Sequence, residues 1–307
     1  MRVFLAGATG AIGRPLVPQL IAAGHEVVGT TRSEERAAGL RDAGAEAVVV
    51  DALDAGALRE AVLSARPDAV VNQLTDLPKD FAPKMRYGST GALRRDVTAT
   101  LIEAGREAGA TRIVAQSVSF VLAPVGDWVK DESGPTIDPD QLSPTFAETF
   151  RGTLAMERAV VEAGGLVLRY GFFYGPGTWY TRDGGMAKQI RRRMLPVIRG
   201  AEGRFSFVHV DDAASATVAA LERGEPGVYN VVDDEPATMA EWVPGFAEAI
   251  GAKPPRTVPM WLAKIFARDN AMQAASLRGS TNDKARRELG WEPRYASWRQ
   301  GFREGLG

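Results

Sequence analysis

The sequence predicts an α/β fold, a doubly wound parallel sheet with a smaller, mostly helical cap. Short β-rich runs alternate with helix-like stretches through the first half of the chain, which is the pattern of strands buried on both faces by crossover helices. A glycine-spaced turn joins the first run to the first helix. From about Pro236 the chain reads as mostly helical and carries Trp242, Trp261, Trp291 and Trp298, large side chains able to anchor a cap.

In chain order, VFLAG from Val3 opens the sheet and leads into a helix ending near Ala23. EVVGTT at Glu26 precedes a helix over Ser33 to Ala43, AVVVD precedes one over Ala55 to Ala65, and DAVVNQL supplies a fourth strand. The helical stretch Val97 to Ala108 leads to a fifth strand, RIVAQSVSF. Ala123 to Thr145, rich in Pro, Asp, Ser and Gly, reads as a long loop at the open end of the sheet, and loops of that length usually serve function. A helix over Ala147 to Ala163, the strand LVLRYGFFYG, the Gly-rich connection GPGTWYTRDGG, the strand FSFVHV, a helix over Asp212 to Glu222 and the strand GVYNVV follow. The expected core is residues 1–169 completed by 204–235, with 170–203 and 236–307 as the cap.

Composition narrows the function. Among 307 residues, 45% are hydrophobic and 24% charged, and no apolar run approaches the about 20 residues of a membrane span. Met1 runs straight into the first strand, leaving no room for a signal peptide, so the expected location is cytoplasmic. A formal net charge of −1 provides no broad positive field for nucleic acid or a membrane surface, and the partner expected is a small-molecule substrate. No cysteine and only two histidines leave no thiolate chemistry and little material for a metal centre, so no metal is expected.

The turn GATGAIG places Gly7, Gly10 and Gly13 between a strand and a helix. Glycine lets the backbone turn tightly and approach a diphosphate without a Cβ in the way, while the helix start supplies free N–H groups. Thr9, Ala11 and Ile12 complete the contact, and the ligand implied is a nicotinamide dinucleotide on a Rossmann-type sheet. Cofactor choice is read at the end of the second strand, where an acid would bind ribose hydroxyls. Thr30, Thr31 and Arg32 stand there instead, favouring NADP(H) over NAD(H). Asp51 and Ala52 are expected beside the adenine. Gln73, Leu74 and Thr75, with Gln116 and Phe173, are expected along the ribose and ring, and Tyr170 is expected to wall the nicotinamide.

Several separate segments resemble the extended short-chain dehydrogenase/reductase family, specifically its NAD-dependent epimerase/dehydratase proteins. These are GATGAIG, LRYGFFYGPG, FSFVHVDDAA, GVYNVVDDEP and DKARRELGWEP, spread over nearly the whole chain. The resemblance implies hydride transfer assisted by Ser, Tyr and Lys, the last two spaced four residues apart, and a homodimer through helices flanking the sheet. This chain departs from that pattern, because no Tyr is followed four residues later by Lys. Aligned by Glu157, Thr149 and Thr153 fall at the Tyr and Lys positions, and neither can do acid/base work near neutral pH. The family's serine falls on Val118, with Ser117 and Ser119 alongside. Ser117, Ser119 or Tyr174 is therefore the candidate proton donor.

His209 reads as a framework histidine, His25 as exposed, and Asp211 with Asp212 as helix-capping acids. The leading expectation is an NADP(H)-dependent oxidoreductase with an atypical active site acting on a small carbonyl or hydroxyl compound. A cofactor-binding regulatory protein, or a nonredox lyase or isomerase, are the alternatives that the missing pair leaves open.

Overall fold

Apolar strands that a water-exposed sheet could not tolerate stand side by side in the centre of the molecule, with helices on both faces of the sheet. The computed structural model describes residues 1–78 and 89–307. In chain order the first elements are β1 (Arg2–Ala6), α1 (Gly13–Ala22), β2 (Glu26–Thr31), α2 (Glu34–Asp42), β3 (Glu46–Val49), α3 (Ala55–Ala65) and β4 (Ala69–Asn72). After α4 (Thr90–Ala92) a π-helical turn, Leu93–Val97, runs into α5 (Thr98–Glu107), followed by β5 (Arg112–Val118), the short β6 (Val129–Lys130) and α6 (Pro144–Glu162). Then come β7 (Leu166–Tyr170), β8 (Phe172–Tyr174), α7 (Gly185–Arg191), β9 (Val197–Arg199), β10 (Phe207–His209), α8 (Val210–Glu222) and β11 (Gly227–Val231). The chain ends with α9 (Met239–Ala249), β12 (Thr257–Pro259), α10 (Met260–Ser276), β13 (Gly279–Ser280) and α11 (Trp298–Glu304).

Seven parallel strands form the main sheet in the order β11-β7-β5-β4-β1-β2-β3. The chain reverses its direction of travel between β1 and β4, so a crevice opens past their carboxyl ends, where ligands of such sheets bind. One face is covered by α1 and α8, which pack on each other and on Leu5, Val71, Leu168 and Tyr170. The other face is covered by α3, α5 and α6. Among the described residues, no helix is long and apolar enough to cross a membrane.

A second apolar core, built round Trp242, Phe246, Trp298 and Phe302, holds the cap. Trp242 and Trp298 are fully enclosed, and burial of each large ring contributes on the order of 1.5–3 kcal/mol.

The structure differs from the sequence reading at several points. The expected strand LVLRYGFFYG is two strands, because Gly171 lies against the Ser206 carbonyl so closely that a Cβ there would sit 2.5 Å from it. Past that break β8 leaves the main sheet and pairs with β10, so FSFVHV joins the cap's stem instead of the large sheet. Ala285, Leu289 and Trp291, expected in the cap, pack into the main core under α8. Trp261 is 65% exposed, and His25 is buried, 3.5 Å from Glu222.

Candidate functional site

The site begins at the β1–α1 turn. Gly7 has a φ of +92°, and a Cβ there would lie 3.0 Å from the Gln73 backbone. A Cβ on Gly13 would lie 2.4 Å from the Gly7 carbonyl oxygen, and one on Gly10 3.3 Å from the same atom. The turn is therefore wound as tightly as glycine allows, and α1 starts at Gly13 without a side-chain cap on its free N–H groups. The Gly7 N–H donates to Thr30 Oγ1 at 3.3 Å, fixing the turn to β2. Gly29, which sequence reasoning passed over, is needed as well, since a Cβ there would meet the Ala8 methyl at 2.7 Å.

The residues named from sequence lie in or just past this turn and the carboxyl ends of the neighbouring strands. Thr9 and Ala11 are half-buried beside Gly10, and Ile12 is buried. Thr31 is buried, its hydroxyl accepting from the Ser33 N–H, and Arg32 projects exposed at the end of β2. Arg32 faces Asp76, whose carboxyl is held below its ordinary range chiefly by the Ser89 N–H and hydroxyl. Asp51 is exposed and accepts from the Leu53 N–H, with Ala52 buried beside it. Leu74 and Thr75 are half-buried past the end of β4. From the far side, a Cβ on Gly177 would lie 3.8 Å from Ala11 Cα, and Trp179 Nε1 donates to the Pro78 carbonyl at 2.8 Å. The loop after β8 thus lies over the turn and is fastened to the loop after β4.

Five expectations are corrected. Tyr170 is fully buried and its hydroxyl lies 2.7 Å from Thr217 Oγ1 on α8, so it is a core residue and not a wall of the crevice. The Gln73 side chain turns the same way, its amide donating to Tyr170 and Thr217, and only its backbone borders the turn. Phe173, half-buried, packs on Tyr170. Tyr174 has no exposure at all. Its ring sits against Gly301 and between His209 and Phe302, and burial among acidic neighbours pushes its hydroxyl far above the ordinary tyrosine range. It cannot present a proton to a ligand. Ser117 is also fully buried, and its hydroxyl donates to Glu157 Oε1 at 2.5 Å. Of the three candidate donors, Ser119 opens the 3-10 turn just after β5 and, among the described residues, is not drawn into such a bond; it and Gln116 are buried.

Glu157 belongs to a buried ionic cluster that the sequence did not announce. Arg169 on β7 donates to both its oxygens, at 2.9 and 2.6 Å. Thr153, one turn earlier on α6, donates to the Thr149 carbonyl and accepts from Arg94 Nη1 at 2.5 Å. Arg94 comes from the π-helical turn, brought close because Gly91 and Gly152 let the two helices touch: a Cβ on Gly152 would lie 2.3 Å from the Gly91 carbonyl oxygen. Burial lowers the Arg94 pKa to about 10, with Glu157 opposing the shift, so the guanidinium stays charged near neutral pH. No spacing rule links position 94 to 153, so only the fold could reveal this pair.

The histidine readings differ in outcome. His209 caps α8 by accepting from the Asp211 N–H, and its Nε2 lies 2.9 Å from the Gly305 carbonyl, which is a framework role. Asp212 does more than cap, accepting from the Arg294 and Tyr295 N–H groups and tying the C-terminal segment to α8.

Comparison with known proteins gives this geometry a family. A family model for the NAD dependent epimerase/dehydratase family matches residues 3–231. A Streptomyces protein described as 3-diazoavenalumate denitrifying reductase is 47% identical over 98% of this chain and 99% of its own length. A Stigmatella aurantiaca ketoreductase of a farnesylated dihydroquinoline oxide is 27% identical over 96% of this chain and 92% of its own. Among solved structures, a human epimerase family protein with NADPH superposes with a TM-score of 0.74 at 23% identity, covering 100% of this chain and 99% of that one. Thermus thermophilus UDP-glucose 4-epimerase in complex with NAD gives 0.73 at 23% identity, covering 100% and 98%. With its glycine turn, switch-point crevice and end-to-end likeness to such proteins, this chain belongs to the NAD-dependent epimerase/dehydratase family.

Proposed function

We propose that the protein is an NADPH-dependent reductase of a small aromatic diazo compound. The observation that carries this reading is the 47% identity, over nearly the full length of both chains, to a denitrifying reductase of a diazo acid. The glycine turn fits the diphosphate of a dinucleotide, since any Cβ at Gly13 would fill the space its own backbone needs. Arg32, exposed at the end of β2 where an acid would select NAD, offers a cation to a 2′-phosphate. A nicotinamide held there supplies a hydride.

The composition of the rest of the site agrees with such a substrate. Reductive loss of dinitrogen from an aryl diazonium cation takes up one hydride and no net proton: the C–N bond breaks, a C–H bond forms and neutral N2 leaves. A site doing this needs no tyrosine acid, and Thr149 and Thr153 stand where the family's Tyr and Lys would be. The remaining tasks are to orient the ring and to exclude water. The loop over the turn, held by Trp179 on Pro78, performs the second.

The test is anaerobic mixing of the purified protein with NADPH or NADH and an aryl diazonium carboxylate, following nicotinamide absorbance and evolved N2. Stoichiometric release of N2 with cofactor oxidation is expected, faster with NADPH. Arg32→Ala should raise the KM for NADPH about tenfold, the scale of one charge-assisted hydrogen bond, and leave that for NADH nearly unchanged. No oxidation beyond a protein-free control overturns the proposal. Oxidation with ketones alone moves the reading to a ketoreductase, which the likeness to the Stigmatella protein would favour.

A further inference from the structure

The cluster beneath Thr153 is not balanced. Two guanidinium groups, Arg94 and Arg169, face one carboxylate, Glu157, and all three residues are less than 10% exposed. Arg169 takes both oxygens of Glu157, and Ser117 adds a third bond to the same carboxylate. Arg94 receives only the more distant field of that pair. Among the described residues, its guanidinium makes one hydrogen bond, to the neutral Thr153 hydroxyl, and its Nε, though buried, has no partner. A buried cation without a counter-ion is costly, and such groups are normally paired. One held only by a neutral hydroxyl, in a cluster at the carboxyl end of β5, points to a ligand that pairs it.

Its position makes that ligand the substrate. Thr153 occupies the place where the family's lysine would stand, and Ser117 fixes the cluster to the carboxyl end of β5, on the crevice side of the sheet. Arg94 therefore brings a charge from a different helix to the neighbourhood the missing lysine would have served. A guanidinium offers a planar fork of N–H donors matched to a carboxylate or ionised phenol.

We propose that Arg94 is a specificity residue that binds an anionic oxygen of the substrate, so that the protein selects aromatic diazo acids over their esters, which lack the anionic oxygen. This rests on the reductase reading for the identity of the reacting group, and on the cluster alone for the anion.

The test compares an aryl diazonium carboxylate with its methyl ester in wild type, Arg94→Met and Arg94→Lys. The ratio of kcat/KM for acid over ester is expected to fall about tenfold or more in Arg94→Met, equal to losing one charge-assisted bond, and to fall by less in Arg94→Lys, which keeps the charge but not the fork. A ratio unmoved by either variant overturns the proposal, as does equal loss for acid and ester, the mark of a purely structural role. If Arg94→Met does not fold, Arg94→Lys decides on the same ratio. If wild type reduces no diazo compound, the reductase reading fails, and calorimetric binding of cinnamate against methyl cinnamate to the protein–NADPH mixture still decides the Arg94 proposal. Preference for cinnamate that Arg94→Lys weakens supports it, and equal binding overturns it.

Discussion

At the residue scale, the chemistry of this site depends on which polar groups are spent on the fold. Tyr174 looks available in sequence, in a YGPG turn close to the crevice, yet its hydroxyl is enclosed with no hydrogen-bond partner among the described residues. An unpartnered buried hydroxyl costs about 1–3 kcal/mol, and phenylalanine has the same shape without it. Tyr174→Phe should leave turnover unchanged and raise stability by about 1 kcal/mol, read as an upward shift in thermal midpoint. A collapse of kcat in that variant would restore Tyr174 as the proton donor. The sequence showed the glycines of the turn because each is demanded locally. It could not show Tyr174's fate, because the groups that enclose it, Gly301 and Phe302, are more than a hundred residues away.

At the element scale, the contact between α4 and α6 decides where Arg94 goes. Gly91 and Gly152 allow backbone to meet backbone, and the arginine one turn further on then reaches across to Thr153. Gly152→Ala would place a methyl 2.3 Å from the Gly91 carbonyl oxygen, against backbone that cannot give way cheaply. Such overpacking costs about 1–3 kcal/mol. The expected result in urea unfolding is a lower midpoint with an unchanged slope; a midpoint equal to wild type would mean that the helices do not touch there. Helix periodicity could place α6, but it carries no information about which distant glycine faces its own.

At the scale of the whole molecule, the cap and the sheet are joined through buried acids. Asp233, just past β11, is enclosed, and desolvation raises its pKa well above the ordinary carboxylate value, against the N–H groups of Glu235 and Trp298 that favour its charge. A carboxyl whose folded pKa is raised keeps its proton to higher pH in the native state than in the unfolded chain. Its contribution to stability is therefore complete below the unfolded pKa of about 4 and is lost as pH rises through the folded value. Asp212, which burial also pushes up, acts in the same sense. Asp233→Asn, which cannot ionise, should flatten the decline of thermal midpoint on the alkaline side of that range. A decline as steep as in wild type would show that Asp233 is ionised throughout.

What the sequence determined by itself is whatever depends on near neighbours. Alternating apolar runs specify a parallel sheet, glycines three residues apart specify a turn open to a diphosphate, and no Tyr is followed four residues later by Lys. The tertiary structure alone decided the direction in which polar side chains face. It turned Tyr170 and Gln73 into the core, closed Tyr174 in the cap, tied Ser117 to Glu157 and brought Arg94 to Thr153. The physical reason is that a buried polar group must find its partner wherever the packed chain provides one, and such partners lie 97 residues apart for Gln73 and Tyr170, 144 for Gln73 and Thr217, and 59 for Arg94 and Thr153.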